Sequence, residues 1–108
     1  MPLTHIAFLD FRSNWAERYG CGITSITLYN ASIEQVTNLQ QDLVDFFHRI
    51  EIDLDVNGIF DEKTQYSIFH FQRIRGLPMS GIATSATKAS LYAIRKRNIA
   101  DKLLMEAL

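Results

Sequence analysis

The stretch Asp53-Leu-Asp-Val-Asn-Gly-Ile-Phe-Asp-Glu-Lys-Thr64 constrains this chain more than any other, because it is a turn set between two amphipathic helical patterns. Asp55, Asn57 and Gly58 are turn formers, Ile59 and Phe60 follow as buriable side chains, and Asp61 stands where a helix N-cap belongs. Such a segment bends the chain, anchors the bend in a core and starts the next helix.

Upstream, Ser32 and Gln35 match a capping box, and Val36, Leu39, Leu43, Phe46, Phe47 and Ile50 recur at three- and four-residue steps. The spacing predicts a helix over 33–50, with Gln40, Gln41, Asp42 and Asp45 off its apolar face. Downstream, a second helix is expected from 61 or 62 to 75, where Gly76 supplies a left-handed C-cap and Pro78 prevents continuation. Its apolar side carries Ile68, Phe71 and Ile74, with Thr64 and Ser67 beside them. Tyr66, Phe69, His70 and Arg73 form a second, aromatic face. Leu77 to Gly81 is a connecting turn, and Thr84 or Ser85 can cap a third helix. Leu91, Ile94, Ile99, Leu103 and Leu104 carry an apolar pattern towards the C-terminus, with Asn98 as a point where that helix can break.

Residues 3–30 read differently. The stretches 5–11 and 22–29 are rich in β-branched and aromatic residues, and Ser13 to Tyr19 between them suits a helical turn closed by Gly20 and Gly22. A short β-hairpin is the expectation there. No full internal repeat is found.

At 108 residues the chain is one domain with room for a real core. Its net charge of −1 gives no basis for binding nucleic acid by phosphate neutralisation, and the short run Arg95-Lys96-Arg97 reads as a solvated helix face. Cys21 is the single cysteine, so no intramolecular disulfide forms. The N-terminus lacks a basic leader and is broken by Asp10 and Arg12, which is not a secretory signal. No apolar run reaches membrane-spanning length. The expectation is a protein cytoplasmic at synthesis, reaching periplasm or cell wall only by another route.

The acidic turn invites a calcium reading. Asp53, Asp55, Asn57 and Gly58 fall at positions 1, 3, 5 and 6 of a twelve-residue calcium loop. Thr64, however, occupies position 12, where that loop needs a bidentate glutamate. The substitution removes a charge and two ligand atoms, so no metal is expected. Catalysis has little support either. His5, His48 and His70 show no zinc-ligand spacing, and the carboxylates of the turn lie on one exposed loop without a cleft to raise one of their pKa values. No catalytic residue and no cofactor are expected.

From Val36 onward the residues resemble the small three-helix peptidoglycan-binding domain found beside bacterial and phage cell-wall hydrolases. Val36, Leu39, Gln40 and Leu43 match its first helix, and Asp55, Gly58, Phe60 and Thr64 match its turn. Ile68, Phe71, Gln72, Gly76, Leu77 and Pro78 match its second helix and stop, and Gly81, Ala86, Thr87 and Leu91 its close. The resemblance implies a mainly α fold: a three-helix core over 32–94, a partly β N-terminal extension over 1–31 and a helical extension over 95–108, in one compact unit. It implies a non-catalytic module recognising peptidoglycan, glycan or stem peptide, and positioning a cell-wall-acting partner such as a hydrolase. Asp55, Asn57, Gln65, Gln72 and Arg73 are the candidate ligand contacts. Two departures stand out: Asp61 where the family often has glycine, and Lys88 where it commonly has tryptophan. The alternative is a protein-interaction module of a phage or secretion assembly, using Tyr66, Phe69 and His70, unless the chain's own extensions cover that face.

Overall fold

The computed structural model describes residues 15–22, 24–25, 28–29, 32–48 and 52–107. A helical segment over residues 15–19 (α1) precedes a minimal antiparallel ladder of β1 (Thr24–Ser25) and β2 (Leu28–Tyr29), with Thr24 opposite Tyr29 and Ser25 opposite Leu28. Three longer helices follow: α2 (Ile33–Phe46), α3 (Glu62–Arg75) and α4 (Ser85–Ala107). The domain is mainly helical. The extension adds a helix to the core and only a two-by-two ladder of β structure; the expected strand over 5–11 lies outside the described residues.

Each of the three longer helices begins where a side chain takes up free backbone donors. Ser32 Oγ accepts from Gln35 N at 3.2 Å while Gln35 Oε1 accepts from Ser32 N at 3.1 Å, completing the capping box of α2. Asp61 Oδ1 accepts from Thr64 N at 3.0 Å to launch α3. Thr84 Oγ1 accepts from Thr87 N at 3.3 Å at the start of α4. Gly76 ends α3 at φ 70°, and Leu77 N returns to Gln72 O at 2.9 Å.

Two boundaries depart from expectation. α2 ends at Phe46, short of the expected residue 50, with Phe47 as its cap. Leaving the helix there turns both neighbouring aromatics inward: Phe46 meets Phe47 edge-on at 4.8 Å and Phe71 at 4.9 Å. α4 runs unbroken through Asn98, since an asparagine in a helix interior costs only a fraction of a kcal/mol. The core holds Val36, Leu39, Leu43, Phe47, Phe60, Ile68, Phe71, Ala83 and Leu91, with Tyr19 of α1 among them. Ile74, expected on the apolar side of α3, is about half exposed because the helix has already left the core at its last turn.

Two buried charges attach the extension. Asp42 of α2, almost wholly buried, accepts from Arg18 Nε at 2.6 Å, Arg18 Nη2 at 2.8 Å, Arg95 Nη1 at 3.2 Å and the Tyr19 hydroxyl. One carboxylate thereby joins α1, α2 and α4. Lys88 of α4 is 2% exposed and sends its ammonium to Gly20 O at 2.9 Å and to Gly22 O, the carbonyls just past the end of α1. A cation at a helix C-terminus also complements its dipole. Burial lowers the Lys88 pKa, opposed only in part by the neighbouring Cys21. The lysine is buried along its stem and anchors the extension.

Burial, followed by the charge of Asp42, raises the Tyr19 pKa well above its ordinary 10.0. The stability this contributes is fully present below pH 10 and is lost as pH rises from there through the folded-state value. Tyr19→Phe should cost about 1.5 kcal/mol at pH 7 by removing a hydrogen bond to a charged group. It should also flatten the loss of stability above pH 10, measured by urea denaturation of both proteins at pH 7 and pH 10.5.

Candidate functional site

Two buried glutamines shape the surface on which a ligand could dock. Gln40 of α2 accepts at Oε1 from Asn57 N and Gly58 N, both at 2.9 Å. Its Nε2 donates to Ile59 O and Thr64 Oγ1 at 2.9 Å and to Asn57 Oδ1 at 3.2 Å. Gln72 of α3 repeats the arrangement on the next turn. Its Oε1 accepts from Gly81 N at 3.0 Å, and its Nε2 donates to Ile82 O at 3.0 Å, Thr87 Oγ1 at 2.9 Å and Ser80 Oγ at 3.4 Å.

The two turns align residue for residue: Asn57-Gly-Ile-Phe-Asp-Glu-Lys-Thr64 with Ser80-Gly-Ile-Ala-Thr-Ser-Ala-Thr87. Asn57 Oδ1 accepts from Ile59 N at 3.0 Å as Ser80 Oγ accepts from Ile82 N at 3.2 Å. A partial repeat, helix glutamine plus glycine turn plus capped helix, is therefore present. It escapes a search for full repeats because the glutamine-to-glycine spacing halves, from 18 residues to 9.

Glycine is required at the contact. At Gly58, φ is +78°, and a Cβ would lie 2.5 Å from Ile33 Cγ2 and 2.9 Å from Thr37 Oγ1. α2 rests directly on the first turn. At Gly81, φ is +75°, and a Cβ would lie 3.0 Å from Gln65 Cγ, so α3 rests on the second.

The outward side of α3 carries two adjoining grooves. One, of about 520 Å³, is lined by Glu62, Gln65, Tyr66, Phe69, Ser80 and Gly81. The other, of about 510 Å³, is lined by Ile52, Asp53, Glu62, Lys63, Tyr66, Ser67 and His70. Tyr66 and Glu62 belong to both, so the phenol, 71% exposed, stands as a ridge between them. Behind it His70 is held in a stack, 6.4 Å from the Tyr66 ring and 5.4 Å from Phe47, with planes within 17°. Phe69 is 37% exposed. Among the described residues, neither extension covers Tyr66 or Phe69.

The expected contacts separate. Gln65 lines the first groove, and Arg73 is exposed one helical turn beyond Phe69. Gln72 is wholly buried with both ends of its amide occupied, which corrects its placing among the ligand contacts: it holds a turn. Asn57 lies at the first turn with its Oδ1 already engaged, and Asp55 is exposed beside it. Neither lines the α3 grooves. Asp53 and Asp55 approach Lys63 Nζ at 3.2 and 3.9 Å, and these carboxylates, Asp53 first, raise the lysine pKa. A cation of the chain itself thus occupies the acidic rim that suggested calcium. Among the described residues no three His, Cys, Asp or Glu side chains are grouped to hold a metal ion.

In the first groove, Glu62, Ser80 and Gly81 are the residues that sequence reasoning missed. Glu62 was legible as the residue one turn before Tyr66, and Ser80-Gly81 as the counterpart of Asn57-Gly58.

Residues 32–91, more than half of the chain, match the family model described as "Putative peptidoglycan binding domain". Searches of curated proteins and of solved structures return no match. Among the described residues no helix is long and apolar enough to cross a membrane.

Gln72→Leu should cost about 3 kcal/mol, because it strands the buried Gly81 N–H and removes one bond each from the Ile82 carbonyl and the Thr87 hydroxyl, which keep only their contacts to Thr84. Gln65→Ala, on the groove, should change stability by less than about 1 kcal/mol. Chemical denaturation of the two variants measures the contrast.

Proposed function

The chain belongs to the peptidoglycan-binding domain family, and from that premise we propose that it is a non-catalytic module that docks peptidoglycan along the outward side of α3. The observation that carries this reading is the groove at the second turn. Its wall is the apolar pair Tyr66 and Phe69, its base is Gly81, and its polar rim is Glu62 and Gln65. A sugar ring stacks on an exposed phenol, and an amide pairs with a carboxamide that both donates and accepts. Arg73 extends the same helix side by one turn and suits a stem-peptide carboxylate. Asp55 and Asn57, at the first turn, have a smaller part in this reading.

Such a module positions a cell-wall-acting partner, a hydrolase or a phage or secretion component, and works at the wall after delivery. The exposure of Tyr66 and Phe69 favours one second reading, a protein partner seated on the same aromatic ridge.

Purified sacculi should sediment the wild-type protein. Tyr66→Ala and Arg73→Ala should each reduce the bound fraction, with about a tenfold weaker affinity for the tyrosine variant. Absence of sedimentation by the folded wild-type protein overturns the peptidoglycan reading and leaves the ridge to a protein partner.

A further inference from the structure

α3 carries a line of four exposed side chains that the core does not use. Glu62, Tyr66, Phe69 and Arg73 follow one another at steps of four, three and four, and each of them is exposed. Eleven residues make almost exact whole turns of a helix, so Glu62 and Arg73 leave the axis within about 20° of one another and about 16 Å apart along it. The line therefore has a carboxylate at one end, a guanidinium at the other and two aromatic rings between.

Both end charges are unengaged. Among the described residues neither the Glu62 carboxylate nor the Arg73 guanidinium meets a hydrogen-bond or ion-pair partner. Their neighbours in sequence do, since Lys63 is held by Asp53 and Asp55, and Arg75 by Ser90. Exposed helices commonly couple opposite charges three or four residues apart. Here Gln65 and Tyr66 take those places after Glu62, and Phe69 and His70 take them before Arg73, so the helix withholds the usual partner from each. No carboxylate follows Glu62 in the sequence until Asp101, which leaves Arg73 among cations and neutral groups on its own segment. At the other end Asp53, Asp55, Asp61 and Glu62 outnumber Lys63, and the two grooves that meet at Tyr66 both include Glu62. A glutamate in the first turn and an arginine in the last also suit the helix dipole. The dipole does not require them to share one line with two exposed rings.

Charge complementarity defines the occupant. Resting on the reading that α3 docks peptidoglycan, we propose that this line takes a stem peptide that is not cross-linked, with its primary amine at Glu62 and its terminal carboxylate at Arg73. An ammonium seated between Glu62 and Tyr66 gains a charge-assisted hydrogen bond from the first and the face of a π-system from the second. A carboxylate matches the planar fork of Arg73. An extended strand of about five residues covers the distance between the two charges. Its amides pass Gln65 on the way, and its small apolar side chains pass Phe69. A cross-link is an amide that joins the amine of one stem to a carboxylate of another. It presents a neutral group to Glu62 and leaves that carboxylate without its cation. The line thus distinguishes wall regions by their degree of cross-linking, which stacking of an uncharged sugar ring alone does not do.

Purified sacculi, untreated and after acetylation of their amines with acetic anhydride, test the proposal by sedimentation with the full chain. Affinity for the acetylated wall should be about fivefold weaker. Glu62→Gln should weaken binding to untreated sacculi by a similar factor and remove the response to acetylation. Arg73→Gln should also weaken binding but keep that response, because it acts at the other end. Unchanged helical circular dichroism checks that both variants fold. Wild-type affinity that is equal for the two walls overturns the inference and leaves peptidoglycan docking standing, as does a Glu62→Gln variant still sensitive to acetylation. No sedimentation with untreated sacculi overturns the docking itself, and the inference with it.

Discussion

A turn that enters a core brings backbone N–H and C=O groups with it, and each left unpaired costs about 1–3 kcal/mol. Gln40 and Gln72 meet that demand twice in this domain. A carboxamide donates and accepts from one planar group, which a carboxylate or an ammonium cannot do, and glutamine has one more methylene of reach than asparagine. Each therefore serves a turn's N–H, its carbonyl and the threonine hydroxyl at the start of the next helix together. The glycines at 58 and 81 complete the device by letting the overlying helix touch the backbone. Remove the amides and neither turn could be buried, so the three helices would lose the angle at which Leu39, Ile68, Phe71 and Leu91 meet.

The two buried charges add a second tier to this frame. Asp42 collects Arg18, Tyr19 and Arg95, while Lys88 takes the carbonyls of Gly20 and Gly22, so α1 is bound to α2 and α4. That choice of side has a functional consequence. The described part of the extension is fastened to α2 and α4, and Tyr66 and Phe69 of α3 stay exposed. Of the described extension, Tyr19 meets Tyr92 of α4 and not the aromatic ridge.

Helix positions were legible in the sequence because periodicity and caps act locally: Ser32, Asp61, Gly76 and Thr84 do what their types and spacings imply. The long-range polar partners were not legible. Gln40 and Asp42 read as solvent-facing because they stand off the apolar stripe of α2, and only the arrival of a turn on one side and of α1 and α4 on the other buries them. Gln72 misled for the same reason, since a glutamine that clasps a turn and a glutamine that meets a ligand look identical until the turn is placed. The calcium-like spacing at Asp53 was a true signal of a tight acidic turn. Its cation is Lys63, on the next helix.

This has a bearing on what the family match can say. The match spans residues 32–91, and within it Leu39, Gln40, Gly58, Phe60, Thr64, Phe71, Gln72, Gly81 and Thr87 belong to the clasped turns and the core, so they build a scaffold. The side chains that α3 gives to the groove, Glu62, Gln65, Tyr66 and Phe69, fall between them. Scaffold and specificity are thus interleaved on one helix at a three- and four-residue period, one set facing in and the other out. The inward set can be kept for stability while the outward set changes with the ligand. On the proposed docking along α3, the choice of wall fragment would rest on those four side chains, a phenol ridge flanked by a carboxylate and a carboxamide, and not on the residues of the scaffold.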